Sequence, residues 1–314
     1  MNKITIIGSG SVGSTIAYAL TIKGLASEIV LIDINKKKAE GEALDILQGT
    51  PFSSPCEIYA GDYMDAENSD IVIVTSGVAR KPGQSRLDLA QINVDIFKSI
   101  IPNITRYAPN AIYIVVSNPV DILTYTLCKC SDIPESHIIG SGTMLDTARL
   151  RARLSEMYSI NQKNVHAYVL GEHGDSSFVP WSLANISNIH VDDMAKSIVT
   201  PDQAFPVLDH AELEEYVRKS GARVIESKGA TFYAVAISVC HICEQLLHGR
   251  DCTMAISSMM HGEYGIDDVC LSVLHLVGRD GIKSKVMLPL TDDEIAKLQH
   301  SANCLKDIIK QIKI

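Results

Sequence analysis

"ITIIGSGSVG", residues 4–13, joins an apolar, strand-like run to three glycines spaced as GxGxxG. A helix-like run of small and apolar residues follows over 11–23, and a second apolar run, "EIVLID", occupies 28–33. Strand, glycine turn, helix and strand make one βαβ unit. In such a unit Gly8 makes the tight turn, Gly10 lets the backbone approach a pyrophosphate, and Gly13 lets the helix pack on the strand. Asp33 stands 20 residues after Gly13, at the end of the second strand. A carboxylate there accepts from ribose hydroxyls and repels a 2'-phosphate. The turn, with Val12 inside it, predicts a dinucleotide site for NAD rather than NADP.

Outward from that unit the same alternation continues. "EIYAG" (57–61), "DIVIVTSG" (70–77) and "AIYIVVSNP" (111–119) read as strands, with helices at 36–47 and 87–107. Nearly all-apolar strands between amphipathic helices imply a parallel sheet covered on both faces. The expected fold class is a doubly wound (Rossmann) α/β domain. From Met144 the pattern changes to longer helices at 144–158, 209–227 and 229–247, with hairpin-like strands around 165–190 and 253–289. A last helix over 292–313 starts at an acidic turn and ends in Lys310 and Lys313, which suits the helix dipole. The second half therefore reads as an α+β substrate domain, with the NAD-binding domain at 1–143 and the substrate-binding, catalytic domain at 144–314. No Pro, Gly or Ser-rich linker separates them, so a ligand cleft between packed halves is expected.

Composition narrows the ligands. With 46% hydrophobic residues in 314 the chain can bury a full core, and a formal charge of -9 argues against nucleic acid and anionic membranes. Apolar runs are too short to span a bilayer and no signal-peptide core follows Met1, so a cytoplasmic protein with small-molecule ligands is expected. Eight cysteines without a secretory segment suggest reduced thiols. Cys240 and Cys243 form one CxxC with no second pair, which favours buried thiols over a metal site, and no metal is expected.

Chemistry concentrates in "GSGTMLDTARLRARL" and "VHAYVLGEHGDSS", between residues 140 and 177. On a helix Asp146 and Arg149 are i and i+3 and share a face, while Arg151 turns nearly to the opposite side. His173 lies past an apolar strand, in a turn from Gly171 to Gly174 that leaves its imidazole accessible. A carboxylate able to hold its tautomer and an arginine able to grip a substrate carboxylate occur in a neighbouring element. The loop "GVARKPGQSR", 77–86, adds Arg80, Lys81 and Arg86.

"GSGSVG…LID", "SNPVDILTY", "GSGTMLDTARLR", "GEHGDSS" and "KGATFYA" resemble the L-lactate and malate dehydrogenase family over essentially the whole chain, with wording closest to its bacterial L-lactate dehydrogenases. The resemblance implies reversible NADH-dependent reduction of pyruvate to L-lactate. It makes His173 the proton donor and acceptor and Asp146 its orienting partner. Arg149 would clamp the substrate carboxylate, Arg86 would polarise the carbonyl, and Asn118 would orient the carbonyl and the nicotinamide. Arg80 occupies the position where malate dehydrogenases pair an arginine with a second carboxylate, so malate dehydrogenase is the alternative. Thr231 in "KGATFYA" and "SSFVPWS" at 176–182 match the lactate type. Arg151 and His166 match positions that bind fructose bisphosphate in allosteric bacterial members, implying a homotetramer with a bisphosphate effector; two unrelated surface cations are the plainer reading. A non-catalytic NAD-binding structural or sensing protein is the alternative of another class.

Overall fold

The computed structural model describes residues 2–79, 83, 85–199 and 205–314. Its first half runs β1 (Lys3–Ile7), α1 (Ser11–Lys23), β2 (Glu28–Ile32), α2 (Lys36–Gly49), β3 (Glu57–Ala60), β4 (Ile71–Val74), α3 (Arg86–Tyr107), β5 (Ile112–Val115), α4 (Val120–Cys130) and β6 (Ile138–Gly140). These strands are parallel in the order β3-β2-β1-β4-β5-β6. Strand order reverses between β1 and β4, and that switch point is where doubly wound sheets bind ligands.

The second half runs α5 (Met144–Tyr158), β7 (Val165–His166), β8 (Asn185–Ile186), β9 (Ile189–His190), α6 (Val191–Ser197), α7 (His210–Lys228), α8 (Tyr233–His248), β10 (Cys252–His261), β11 (Asp267–Gly278), β12 (Gly281–Lys285) and α9 (Asp292–Ile309). The antiparallel meander β10–β12 joins β6 where Ser257 faces Gly140, so one sheet of nine strands runs through both halves among the described residues. Gly140 permits the join: a Cβ there would lie 2.8 Å from the Ser257 Cβ.

Period-two alternation sorts the core. Ile71 and Ile73 of β4 and Ile112 and Ile114 of β5 face one layer with α1, α2 and α8; Val72, Val74, Tyr113 and Val115 face the other with α3, α4 and α9. Cys240 and Cys243 are fully buried in the first layer, and burial pushes the Cys240 thiol up to about 12. A third core gathers Leu150, Leu154, Trp181 and Val217 from α5, α7 and the segment between them.

Three differences from the sequence pattern have physical causes. The pattern gives no element between 119 and 144, yet α4 and β6 lie there. Residues 120–127 of α4 are all buried, so the helix shows no polar face, and β6 is only three residues long. The helix expected from 229 begins at Tyr233, because Gly229 closes α7 at φ +84°. The strand carrying His166 ends at that residue; beyond it Leu170 and Gly171 form single bridges to Phe178 and Ser272. His166 and His173 are seven residues apart, an odd step that would point them to opposite faces of one regular strand; the strand stops short of His173, so that alternation does not apply to it.

Candidate active site

At the switch point Gly8 holds φ +102°, a left-handed turn that costs glycine nothing sterically. A Cβ on Gly13 would stand 1.8 Å from the Gly8 carbonyl oxygen, so α1 reaches the turn only through glycine. A Cβ on Gly10 would meet nothing within 4 Å, which leaves its backbone open to a ligand at the helix N-terminus. Asp33 Oδ2 accepts the Ser9 N–H at 2.6 Å and the Ser9 hydroxyl at 3.0 Å, while Oδ1 accepts the Asn35 N–H at 2.8 Å. Burial alone would raise its pKa, but these hydrogen bonds hold the carboxyl below its usual range, ionised beside the turn. A crevice of about 190 Å³ continues between Val12, Thr75, Gly77, Val116 and Asn118. Turn, open backbone, carboxylate and crevice fit a dinucleotide.

Asn118 is exposed at the end of the "SNP" run, and its carbonyl accepts from Asn93 Nδ2 at 2.7 Å. Asn93, buried on α3, also accepts the Val78 N–H at 2.8 Å and thereby ties the start of the 77–86 loop to Asn118. Sequence reasoning passed over Asn93; nothing local distinguishes it from other helix asparagines.

The second cluster joins α5 to the turn that carries His173. His173 Nδ1 is 2.6 Å from Asp146 Oδ2, and Arg149 Nη1 donates to Asp146 Oδ1 at 2.9 Å. The i, i+3 spacing on α5 therefore does bring Asp146 and Arg149 together, with the imidazole as third member. Gly221 on α7 lies beside the guanidinium: a Cβ there would sit at ordinary contact distance, 3.5 Å from Arg149 Nη2. Burial would raise the Asp146 pKa, but the facing His173 and Arg149 charges overcome it and hold the carboxyl below its usual range. The Asp146 charge in turn lifts His173 to about 9 against the opposing effect of burial. An ionised Asp146 accepts from Nδ1–H, which leaves Nε2 as the exchanging nitrogen.

The backbone around His173 is pinned at successive residues. Gly171 exchanges two 2.9 Å backbone hydrogen bonds with Ser272, Glu172 N–H donates to Ser301 Oγ at 2.7 Å, and His173 N–H donates to Asp121 Oδ2 at 2.7 Å. The side chain of His173 remains 27% exposed.

Family comparison follows this geometry. The description "lactate/malate dehydrogenase, NAD binding domain" matches residues 2–140, and "lactate/malate dehydrogenase, alpha/beta C-terminal domain" matches 143–314. The chain belongs to the lactate/malate dehydrogenase family. It is 47% identical over 314 residues to an L-lactate dehydrogenase of Acetivibrio thermocellus, covering 100% of this chain and 98% of that one. Among solved structures, a lactate dehydrogenase from a Medee basin deep-sea metagenome superposes with TM-score 0.93 at 38% identity, covering 98% of each chain. The minor L-lactate dehydrogenase of Enterococcus mundtii does so with TM-score 0.94 at 34% identity, covering 100% of this chain and 99% of that one. As a member of this dehydrogenase family the chain carries an NAD-binding domain, in agreement with the glycine turn and Asp33.

Other residues that the family resemblance singled out are placed less compactly. Arg86 opens α3 after the Ser85 cap and pairs with Asp175, two residues past His173; both side chains are exposed. Arg80 and Lys81 lie outside the described residues. Thr231 is half-buried in the short link between α7 and α8. Arg151 points away from Arg149, donates to the Ala167 carbonyl at 3.0 Å and stacks over Tyr168, beside a groove of about 440 Å³ that Lys163 and His241 also line. His166 is exposed on β7, outside that groove. Among the described residues no helix is long and apolar enough to cross a membrane.

Proposed function

We propose that this dehydrogenase interconverts pyruvate and L-lactate, with residues 1–143 as the cofactor half and 144–314 as the substrate half. The carrying observation is the hydrogen-bonded chain His173–Asp146–Arg149. It supports reading His173 as the proton donor and Arg149 as the carboxylate clamp, held on one hydrogen-bonded framework. When bound, NADH supplies the hydride that reaches the substrate carbonyl carbon. Arg149 pairs with the substrate carboxylate in bidentate fashion and sets the orientation of the carbonyl. His173 Nε2 gives its proton to the carbonyl oxygen, and Asp146 stabilises the imidazolium before transfer and keeps the tautomer after it. Arg86, leaving Asp175, and Asn118 meet the negative charge that builds on the oxygen. That charge is larger in the transition state than in the ground state, so both contacts accelerate the step rather than merely tighten binding.

Reduction of oxaloacetate to malate is the second reading, carried by Arg80, whose guanidinium would pair with a second carboxylate. Thr231 supports the smaller substrate. Arg151 and His166 are proposed as phosphate contacts of a fructose bisphosphate effector in a cytoplasmic homotetramer, where like charges facing across a two-fold axis would be neutralised by the bisphosphate.

Steady-state NADH oxidation with pyruvate and with oxaloacetate, each with and without fructose bisphosphate, tests all of this. A higher kcat/KM for pyruvate, rising with the bisphosphate, is expected. An oxaloacetate preference of a few tens-fold, about 2 kcal/mol of discrimination, selects the malate reading. NADH binding without turnover of either substrate selects the non-catalytic alternative.

A further inference from the structure

Asp121, in the first turn of α4, is 2% exposed and has no part in the chemistry above. Its Oδ2 accepts the His173 backbone N–H at 2.7 Å, and its Oδ1 accepts the Ser257 hydroxyl at 2.6 Å. A carboxylate buried this far is retained only where hydrogen bonds and a countercharge meet it. Two donors meet its lone pairs and the countercharge that bears on it is His173 itself, yet burial outweighs them and lifts the carboxyl to about 6, so Asp121 is ionised above that pH.

Beneath it lies a pair of serines. Ser257 of β10 faces Ser272 of β11 in register, and Ser272 Oγ accepts the Thr143 N–H at 3.0 Å at the start of α5. Ser272 also bridges to Gly171. One rigid hairpin therefore supports both partners of the His173–Asp146 contact, and Asp121 is its link to His173. A Cβ on Gly142 would lie 2.2 Å from Ser272 Oγ, so glycine at that position is what admits the pair.

We propose that Asp121, held by Ser257, is a positioning residue: it fixes the His173 backbone and adds a second negative charge, besides Asp146, that favours the imidazolium. The proposal rests on His173 as the proton donor. The charged groups that bear on His173 and Asp121 are Asp146 and Arg149 from α5, Asp121 itself from α4, and Glu172 from the His173 loop; Cys270 on β11 is kept neutral by burial. Asp146 is the stronger influence and remains in every variant below.

Asp121→Asn preserves the shape, since its amide oxygen still accepts from His173 N–H and its amide nitrogen donates to a turned Ser257 hydroxyl. What it removes is the charge. The alkaline limb of pyruvate reduction is expected to move down by about one pH unit. The loss at pH 9 would then exceed the loss at pH 6 by about fivefold. The imidazole titration of the NADH-free protein, followed by NMR, is expected to move by the same amount. A limb and a titration that both stay at the wild-type pH overturn the proposal. Should Asp121→Asn fail to bind NADH, Asp121→Ser asks the same question: it removes the charge while keeping a small polar side chain, the limb is expected to move down as in Asp121→Asn, and an unmoved limb overturns the proposal there too. Near wild-type turnover in His173→Asn would instead remove the reading on which it rests.

Discussion

The two arginines proposed to meet the substrate have opposite kinds of anchorage. Arg149 lies in the middle of α5, 17% exposed, bonded to a buried Asp146 and roofed by Gly221 of α7. Arg86 is the first residue of α3, 60% exposed, paired with an Asp175 that is 73% exposed. The first is preorganised, because its carboxylate partner is also the histidine's partner and none of the three can move alone. The second is held by a contact that water and salt weaken. On the proposed mechanism, half of the site is built by the fold and half is assembled when a substrate draws Arg86 from Asp175. In that mechanism binding orientation belongs to the first half, and polarisation of the carbonyl to the second.

The sharpest break in this contrast is His173→Asn. Removing the proton donor is expected to lower kcat by about 10²–10⁴-fold, with NADH affinity retained, as stopped-flow and fluorescence titration would read. The wild-type pH profile bears on the same group. His173 titrates at about 9, raised by Asp146. Pyruvate reduction needs the protonated form, so its rate is expected to hold below that pH and to fall about tenfold per unit above it. Lactate oxidation needs the neutral form and is expected to rise through the same pH. Next in size is Arg86→Gln. It should lower kcat by about 10²–10³-fold while KM for pyruvate changes little, because the clamp is Arg149. A large KM effect with kcat retained would show that Arg86 binds rather than polarises, and the division between the two arginines would fall.

The parts of this site that were legible in the sequence are the ones made by local geometry. Gly8, Gly10 and Gly13 declare a turn within six residues, Asp33 follows at the end of the next strand, and the i, i+3 step from Asp146 to Arg149 is a property of any helix. Contacts made across the fold left no such mark. Asp121 meets His173 across 52 residues and Ser257 across 136, and Arg86 meets Asp175 across 89. The helix that carries Asp121 escaped notice for a related reason: it is buried on every side through its first two turns, so the polar stripe that announces a surface helix is missing. Asp121, the residue proposed to position His173, therefore lay inside the "SNPVDILTY" motif without a local mark of that role.

The smallest expected effect tests the exposed side of the contrast. Arg86 and Asp175 are long or mobile side chains in contact with water, and an ion pair of that kind contributes up to about 1 kcal/mol before screening. Asp175→Asn should accordingly lower unfolding free energy by less than about 1 kcal/mol, a difference that shrinks as salt is added in denaturant titrations. KM for pyruvate should move by less than about fivefold, the kinetic equivalent of the same energy. The buried Asp146 gives the scale: its loss would strand both His173 and Arg149 without their shared acceptor, a deficit that salt cannot screen. If Asp175→Asn instead matched Arg86→Gln in its loss of kcat, the exposed carboxylate would be part of the working geometry during turnover. Arg86 would then count among the preorganised groups, and the two halves of the site would be one.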